Sequence, residues 1–351
     1  MQKSIAWLGL DAHAKHCVLG QLDDEGKRIG HWKFNTTEEE LIARLKAIAA
    51  DQKHLVLEES GMGRWIGKLL KPYVTELVVC DARVNALISH NAHKNDVEDA
   101  YNLARLLRLR EVKAIWQNEQ DQRDIFKAAV RNYLDAVQRQ SALKSQIKAQ
   151  LRFWGVIATG QAVFSTAHRG QWLAKLRDAD VRSSLELQYE LLDSAMKCQT
   201  LARRLMSRLG RRYPEIGRLR SVPGVGAIGA HVFVALIGDP RRFRRLSQLM
   251  RFCRLSIRDC SSDGKPLGYS RLERSGHGEL KAISYRAYLV ALKRCSGPVY
   301  QFYNQSLQRT LDEVHARLNT QRKIIQTLYR LWLDESSFDA KRFLGSATQP
   351  A

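Results

Sequence analysis

The sequence predicts an α/β domain followed by a longer, mainly helical region, and three observations carry that division. Short apolar runs alternate with turn signals and helical spacing through about residue 110. From about 119 to 210 the apolar residues fall instead on stripes near a 3.5-residue period. The charge divides too: residues 1–100 hold 13 Lys/Arg against 15 Asp/Glu, a net of −2, while the 351-residue chain carries +21, so the other 251 residues carry +23.

In the first region, Ile5–Leu10 reads as an apolar strand ending at Asp11. Cys17–Leu22 and Arg28–Phe34 are two more strands, joined by the turn sequence DDEG into a hairpin. Thr37 followed by Glu40 is a capping-box signature, and Leu41, Leu45 and Ile48 continue at helical spacing. The strand HLVLE (54–58), a helix from about Gly61 to Lys71 and the strand ELVVCD (76–81) follow. Three strands, helix, strand, helix, strand is the layout of an RNase H-like fold, although other α/β domains produce it too.

Phe126, Val130, Tyr133, Val137, Ile147, Leu151 and Trp154 form the first helical stripe, and Leu191, Ala195, Cys198, Ala202, Leu205 and Leu209 the second. Residues 155–183 break them, which predicts an antiparallel pair serving as a spacer or an oligomerisation arm. The phrase SVPGVGAIGA then sets Pro223, Gly224 and Gly226 in a tight turn before an apolar helix, similar to a helix-hairpin-helix element whose amides hold phosphate. Residues 255–275 read as loop or irregular strand, with helices resuming at about 277–293 and 298–334 before a polar tail. The predicted domains are 1–115, 116–212 and 213–340, with 341–351 as tail.

Composition narrows the function. Between Arg203 and Arg258 stand 14 arginines and no lysine, opposed by Glu215 and Asp239 alone. A fold needs no such asymmetry; a polyanionic partner does. Guanidinium groups favour forked contact with phosphate, so nucleic acid is the expected partner. No apolar run approaches the roughly 18 residues of a membrane span, and the N-terminus lacks a signal-peptide core, which points to a soluble intracellular protein. The six cysteines form no CxxC pair, which suits reduced thiols rather than disulfides or a zinc cluster.

The chemistry resides in an acidic constellation. Asp11 follows the first strand, Glu58 and Glu59 close the fourth, and Asp96 and Asp99 lie at i,i+3 on one helix face. In an RNase H-like fold these segments meet. Asp11, Glu58, Asp96 and Asp99 would repel one another without a cation, and an oxygen-rich set suits Mg²⁺ (or Mn²⁺). Taken singly, each acid is equally a turn former or a cap, Asp96 being the natural N-cap of its helix. Glu59 reads as a surface neighbour of Glu58. Among the aromatics, Trp7, Trp32 and Trp65 read as core or interface. Tyr285, Tyr288, Tyr300, Phe302 and Tyr303 read as core by their helical spacing, with base stacking as the other possibility.

At this point the sequence resembles the DEDD transposases of bridge-RNA-guided insertion sequences, whose relatives include the Piv-type DNA invertases. The markers are GLDAH (9–13), LEESG (57–61) and KNDVEDA (94–100), then SVPGVG (221–226), IGDPRRFRRLSQLMRFCRL (237–255) and a serine-containing stretch ending in RSGH (274–277). The resemblance implies a RuvC-like domain with metal ligands Asp11, Glu58, Asp96 and Asp99, a coiled-coil region, and a C-terminal transposase domain with a nucleophilic serine. Ser256, Ser261, Ser262, Ser270 and Ser275 all occupy the candidate stretch. Counted from both flanks, the family's nucleophile falls on Ser262, with Ser261 as the alternative. The family's Ser-Lys-x-Gly pattern reads Glu273-Arg274-Ser275-Gly276 here, and the glutamate is expected to point away from the phosphate. Cys260, two positions before Ser262, reads as small apolar filler.

The resemblance further implies a covalent phosphoserine link, an active site shared between protomers, a structured guide RNA, target and donor duplex DNA, and a dimer-to-tetramer assembly on bacterial nucleoid DNA. Arg241, Arg242, Arg244, Arg245, Arg258, Lys265, Arg271 and Arg274, with the backbone at Gly224 and Gly226, are the expected nucleic-acid contacts. Two other readings remain: a metal-dependent nuclease of the Holliday-junction type using carboxylates alone, and a non-catalytic nucleic-acid-binding protein. An RNA-independent invertase is a variant of the first reading.

Overall fold

The computed structural model describes residues 4–81, 95–116, 121–262 and 265–345, with backbone alone for residues 121, 259–262 and 265–270. The chain divides into two compact units, Met1–Glu119 and Gln120–Ala351.

The first unit is built on a five-stranded sheet: β1 (Ile5–Ala12), β2 (His16–Leu22), β3 (Arg28–Asn35), β4 (Gln52–Glu58) and β5 (Glu76–Cys80), in the order β3-β2-β1-β4-β5. β1, β2 and β3 pair antiparallel; β4 joins β1, and β5 joins β4, in parallel. Period-two alternation sorts the side chains. Leu8, Leu10, Leu19, Leu55 and Leu57 face α1 (Glu38–Ala47) and α2 (Gly63–Leu70), burying Leu41, Leu45, Ile66 and Leu70. Trp7, Leu22, Val56 and Cys80 face α3 (Asp96–Arg108), through Tyr101, Leu103, Ala104 and Leu107. Thr37 caps α1 by accepting from the Glu40 amide, but the Glu40 carboxylate accepts from the Asn35 amide at 2.7 Å. Helix α2 starts two residues later than the sequence predicts and ends in a 3₁₀ turn at Lys71–Tyr73. Trp7 is buried, whereas Trp65 is exposed.

The second unit opens with α4 (Asp121–Phe153), the short α5 (Arg169–Leu173) and α6 (Ala179–Gly210). α4 and α6 pack antiparallel: Phe126, Val130 and Tyr133 share a core with Met206, while Ile147 and Leu151 share one with Leu185, Tyr189 and Leu192. The inward stripe of α6 is offset from the predicted one, because Leu192 is buried while Leu191 and Cys198 face outward. Trp154 is half-exposed. Residues 155–183 are more than a break: Val156, Val163, Phe164 and Leu176 close the end of the pair, and Arg169 grips Asp193 at 2.5 and 2.6 Å.

Beyond it, α7 (Glu215–Leu219) and α8 (Ala227–Ile237) flank the Pro223 turn, followed by α9 (Leu246–Phe252). Residues 255–275, expected as loop or irregular strand, contain an antiparallel hairpin of β6 (Ile257–Ser262) and β7 (Lys265–Leu272). Next come α10 (Gly278–Arg294), α11 (Pro298–Thr310), α12 (Glu313–Leu333) and α13 (Ala340–Leu344). The single helix expected over 298–334 is two, since Leu311 takes φ 52° and Asp312 caps α12 by accepting from the His315 amide. The expected tail from 341 is partly folded, because Phe343 of α13 is buried in the core. Tyr288 and Tyr303 are buried against each other, while Tyr285 is exposed. No described helix is long and apolar enough to cross a membrane.

Candidate active site

Two glycines locate the acidic site. Gly9 of β1 and Gly20 of β2 are register partners on the face covered by α3. A Cβ on Gly9 would lie 2.0 Å from the Ala100 carbonyl oxygen and 2.6 Å from the Ala104 amide; one on Gly20 would lie 3.1 Å from the Tyr101 amide. The helix therefore rests on bare backbone. This contact sets the first turn of α3, with Asp96 and Asp99, over the last residues of β1. Asp11 shares the face of Gly9, two residues along.

Further contacts fix the helix. Asn95 caps it, accepting from the Val97 amide at 3.1 Å, so Asp96 is the first helical residue and not the expected N-cap. Glu98 accepts two hydrogen bonds from Arg28 of β3, at 2.7 and 2.6 Å, and is thereby turned into a strut. At the far end, Arg108 donates to the Asp24 and Glu25 carbonyls.

Asp11 is mostly buried, with 16% of its side chain exposed. Burial pushes its pKa up; His13 pulls it back, and Asp96 and Asp99 push it further. Those last two influences place three carboxylates within electrostatic reach of one another. Glu58 enters through strand register: Leu10 pairs with Leu57, so the next step of the parallel ladder sets Glu58 beside Asp11 on the same face. Its Oε1 is sealed from solvent. Glu59 is exposed. A buried anion crowded by like charges is the donor set a hard divalent cation stabilises, so these residues fit such an ion.

Two histidines absent from the sequence-based site stand in it. His13 Nε2 lies 3.1 Å from Asp11 Oδ2 and 3.7 Å from Asp96 Oδ1, and His16 Nε2 lies 3.4 Å from Asp96 Oδ2. The signal available in sequence was the phrase DAHAKH: two imidazoles directly after a strand-end aspartate, on a turn short enough to bring both back.

In the second unit, Ser261 and Ser262 end β6, opposite Pro266 and Lys265 of β7. The side chains of Cys260, Ser261, Ser262, Lys265 and Ser270 lie outside the described residues. Arg258 and Arg271 are exposed partners across the hairpin. At its base, a cavity of about 450 Å³ is lined by Arg254, Arg271, Arg274 and Lys281. Burial holds the Lys281 amine below the usual lysine range, as do Arg317 and Arg254. Glu273 also lines this cavity: Ser275 hydrogen-bonds its carboxylate, Arg251 lies 3.8 Å off, and its pKa is lowered.

Arg241, Arg244 and Arg245 are exposed. Arg242 departs from the expectation for that group, because it lies over the Phe243 and Phe252 rings and donates to the Ile237 carbonyl. Gly224 takes φ +82°, and a Cβ there would strike the Ala287 carbonyl at 2.7 Å, so the turn needs glycine. Gly226 is the N-cap of α8.

A sheet of this strand order, with carboxylates gathered where β1, β4 and a crossing helix meet, defines the class: an RNase H-like domain of the DEDD type, which depends on a divalent metal ion. A DEDD transposase model of the IS110 type matches residues 8–154, and the model described as "Transposase IS116/IS110/IS902 family" matches residues 217–304. Together they span about two thirds of the chain. The chain belongs to the IS110 family of insertion-sequence transposases, enzymes that cleave and rejoin DNA. No curated protein matches it.

Proposed function

We propose that this transposase is a guide-RNA-directed recombinase that cuts and rejoins DNA through a covalent phosphoserine at Ser262, with a divalent ion, Mg²⁺ or Mn²⁺, held by Asp11, Glu58, Asp96 and Asp99. The observation that carries the reading is the meeting of three remote acidic segments on one face of the sheet, in a chain whose residues 217–304 match a second transposase model. Held by these carboxylates, such an ion would supply Lewis-acid activation of the attacking oxygen and stabilisation of the leaving one.

The chain's own groups supply the rest. The Ser262 oxygen bonds to phosphorus after losing its proton to a base, and the displaced DNA oxygen takes up a proton as it leaves. Arg258, Lys265, Arg271 and Arg274 hold the phosphate and offset charge developing on its oxygens. The exposed Arg241, Arg244 and Arg245 position duplex, as do the backbone at Gly224 and Gly226 in a helix-hairpin-helix-like turn.

Assembly through α4 and α6 as a coiled coil is supported by a second, outward seam. Leu187, Leu191, Cys198 and Leu201 recur at heptad spacing on the exposed face of α6. The domain reading is a metal domain over 1–115, a helical spacer over 116–212 and a serine domain over 213–340.

Incubating the protein with its element DNA and resolving the products on denaturing gels tests the reading. A protein–DNA adduct is expected, and Ser262→Ala removes it. An adduct that persists in Ser262→Ala and disappears in Ser261→Ala moves the nucleophile by one residue. Free ends without adduct favour a metal-dependent nuclease. A defined RNA that copurifies and is required for joining separates a guided enzyme from an RNA-independent invertase.

A further inference from the structure

The turn between β1 and β2 brings nitrogen to a site otherwise described by its oxygens. Among the described residues, His13, His16 and Asp96 form a group whose ligand atoms all lie within 4.8 Å of one another. Two of the three nitrogen–oxygen separations are those of a coordination shell, and the third, His13 to Asp96, lies just beyond. Ligands roughly 2.0–2.2 Å from one ion sit about 3.0–3.5 Å apart in octahedral or tetrahedral geometry. His16 Nε2 to Asp96 Oδ2 is 3.4 Å, His13 Nε2 to Asp11 Oδ2 is 3.1 Å, and His13 Nε2 to Asp96 Oδ1 is 3.7 Å. Both imidazoles present Nε2 to the carboxylates, and their ring centroids lie 5.2 Å apart.

The turn that carries them is anchored. The His13 amide donates to the His16 carbonyl, the Thr36 hydroxyl donates to the His13 carbonyl at 2.7 Å, and the Thr36 amide donates to the Lys15 carbonyl. Asp96 is fixed from the other side by the seating of α3 on Gly9 and Gly20. Two supports that are separate in sequence therefore aim nitrogen and oxygen at the same point. His13 and Asp96 remain partly open to solvent, which leaves room for ion entry and for a substrate oxygen.

We propose that His13 and His16 are ligands alongside Asp96, so that the site binds a first-row transition ion such as Mn²⁺, Co²⁺ or Zn²⁺ in preference to Mg²⁺. Imidazole suits the former ions, whereas Mg²⁺ selects oxygen and gains little from nitrogen. The inference rests on the carboxylate site being a metal centre and adds its ligand set and its selectivity.

The test uses full-length protein with each ion alone. Pulsed electron paramagnetic resonance of the Mn²⁺-loaded protein is expected to show coupling to imidazole nitrogen, lost in the double variant His13→Gln/His16→Gln. Titration calorimetry is expected to show Mn²⁺ and Co²⁺ affinity falling roughly tenfold or more in that variant, with Mg²⁺ affinity changing less than about twofold. Circular dichroism checks that the variant is folded; if it is not, the nitrogen coupling in the natural protein decides. An ion that binds with no nitrogen coupling and with affinity unchanged by the histidine substitutions overturns this inference and leaves the carboxylate centre standing. Failure of the natural protein to bind any of these ions, with Asp96→Asn no different, removes the metal centre and this inference together.

Discussion

The acidic cluster and the basic hairpin, the two regions proposed to act on phosphate, are held in place by different physics. Asp11, Glu58, Asp96 and Asp99 take their positions from main-chain geometry: a parallel register between β1 and β4, and a helix seated on two glycines. Asp11 is pushed up in pKa chiefly by its burial, with the charges of Asp96 and Asp99 adding to that push. The arginines of the second unit are mostly long exposed side chains on a two-stranded hairpin and its base. Their repulsion is screened by water, and they adapt to a backbone that arrives from outside. Acids fixed by the main chain suit an ion with strict geometry; exposed cations suit a polyanion with variable shape.

The most severe way to test the rigid half is to remove a carboxylate. Asp11→Asn and Asp99→Asn are expected to lower DNA cleavage by on the order of a thousandfold, about 4 kcal/mol in the barrier, measured as single-turnover strand cutting. Cleavage within tenfold of the natural protein in either variant contradicts the metal-site assignment.

The scaffold beneath comes next. Gly9→Ala drives a methyl group into the Ala100 carbonyl and is expected to cost about 3 kcal/mol, read from the denaturant midpoint, together with loss of metal affinity. Gly20→Ala, with its nearest contact at 3.1 Å, is expected to cost about 1 kcal/mol. Equal costs at the two positions would mean that α3 is not seated on Gly9.

On the flexible side the effects are smaller and additive. Arg271→Ala and Arg274→Ala are each expected to weaken DNA binding roughly three- to tenfold and to lower the salt slope by about 1, with no change in melting temperature. A melting temperature that falls instead would make these arginines part of the fold. Arg242→Ala is the contrasting case. Its guanidinium packs on Phe243 and Phe252, so stability is expected to drop while the salt slope holds.

The smallest effect concerns Asp11 in metal-free protein. Its folded pKa is raised, so the folded state binds more protons than the unfolded state, and the stability tied to the neutral acid is lost as pH rises through that range. Asp11→Asn is expected to melt higher than the natural protein near neutral pH, and the gap should close below the ordinary aspartate range. A gap that widens in acid reverses the sign and rules out a raised pKa for the buried Asp11. Stability gained where activity is lost is what a functional site under electrostatic strain predicts.

Much of the first unit was legible because its signals are local. Alternating apolar residues and turn sequences gave all five strands, and the order of strands and helices indicated an RNase H-like sheet, which the strand order β3-β2-β1-β4-β5 matches. The convergence of Asp11 with Asp96 and Asp99 follows from that topology. His13 and His16 were missed because two histidines in a turn carry no periodic signal, only their closeness to Asp11 in DAHAKH. The hairpin of β6 and β7 was legible only as loop or irregular strand because DCSSDGKPLG is polar and lacks the alternation that marks a half-buried strand. On α6 the apolar residues fit two stripes one residue apart. The chain uses Leu192 for its core and leaves Leu191 outside, a choice that the opposite helix makes.

By itself, then, the sequence determined the sheet, the long helical pair, the separation of acidic from basic regions and the kinship with insertion-sequence transposases. Tertiary structure alone decided which acids serve the site and which serve the fold. Glu98 stands between Asp96 and Asp99 in the same helical turn, yet Arg28 from β3 claims it as a strut. Arg242 stands among exposed arginines, yet two phenylalanine rings claim it. Sequence spacing fixes the face of an element on which a side chain emerges; the groups waiting across that face, brought from distant parts of the chain, fix what it can do there.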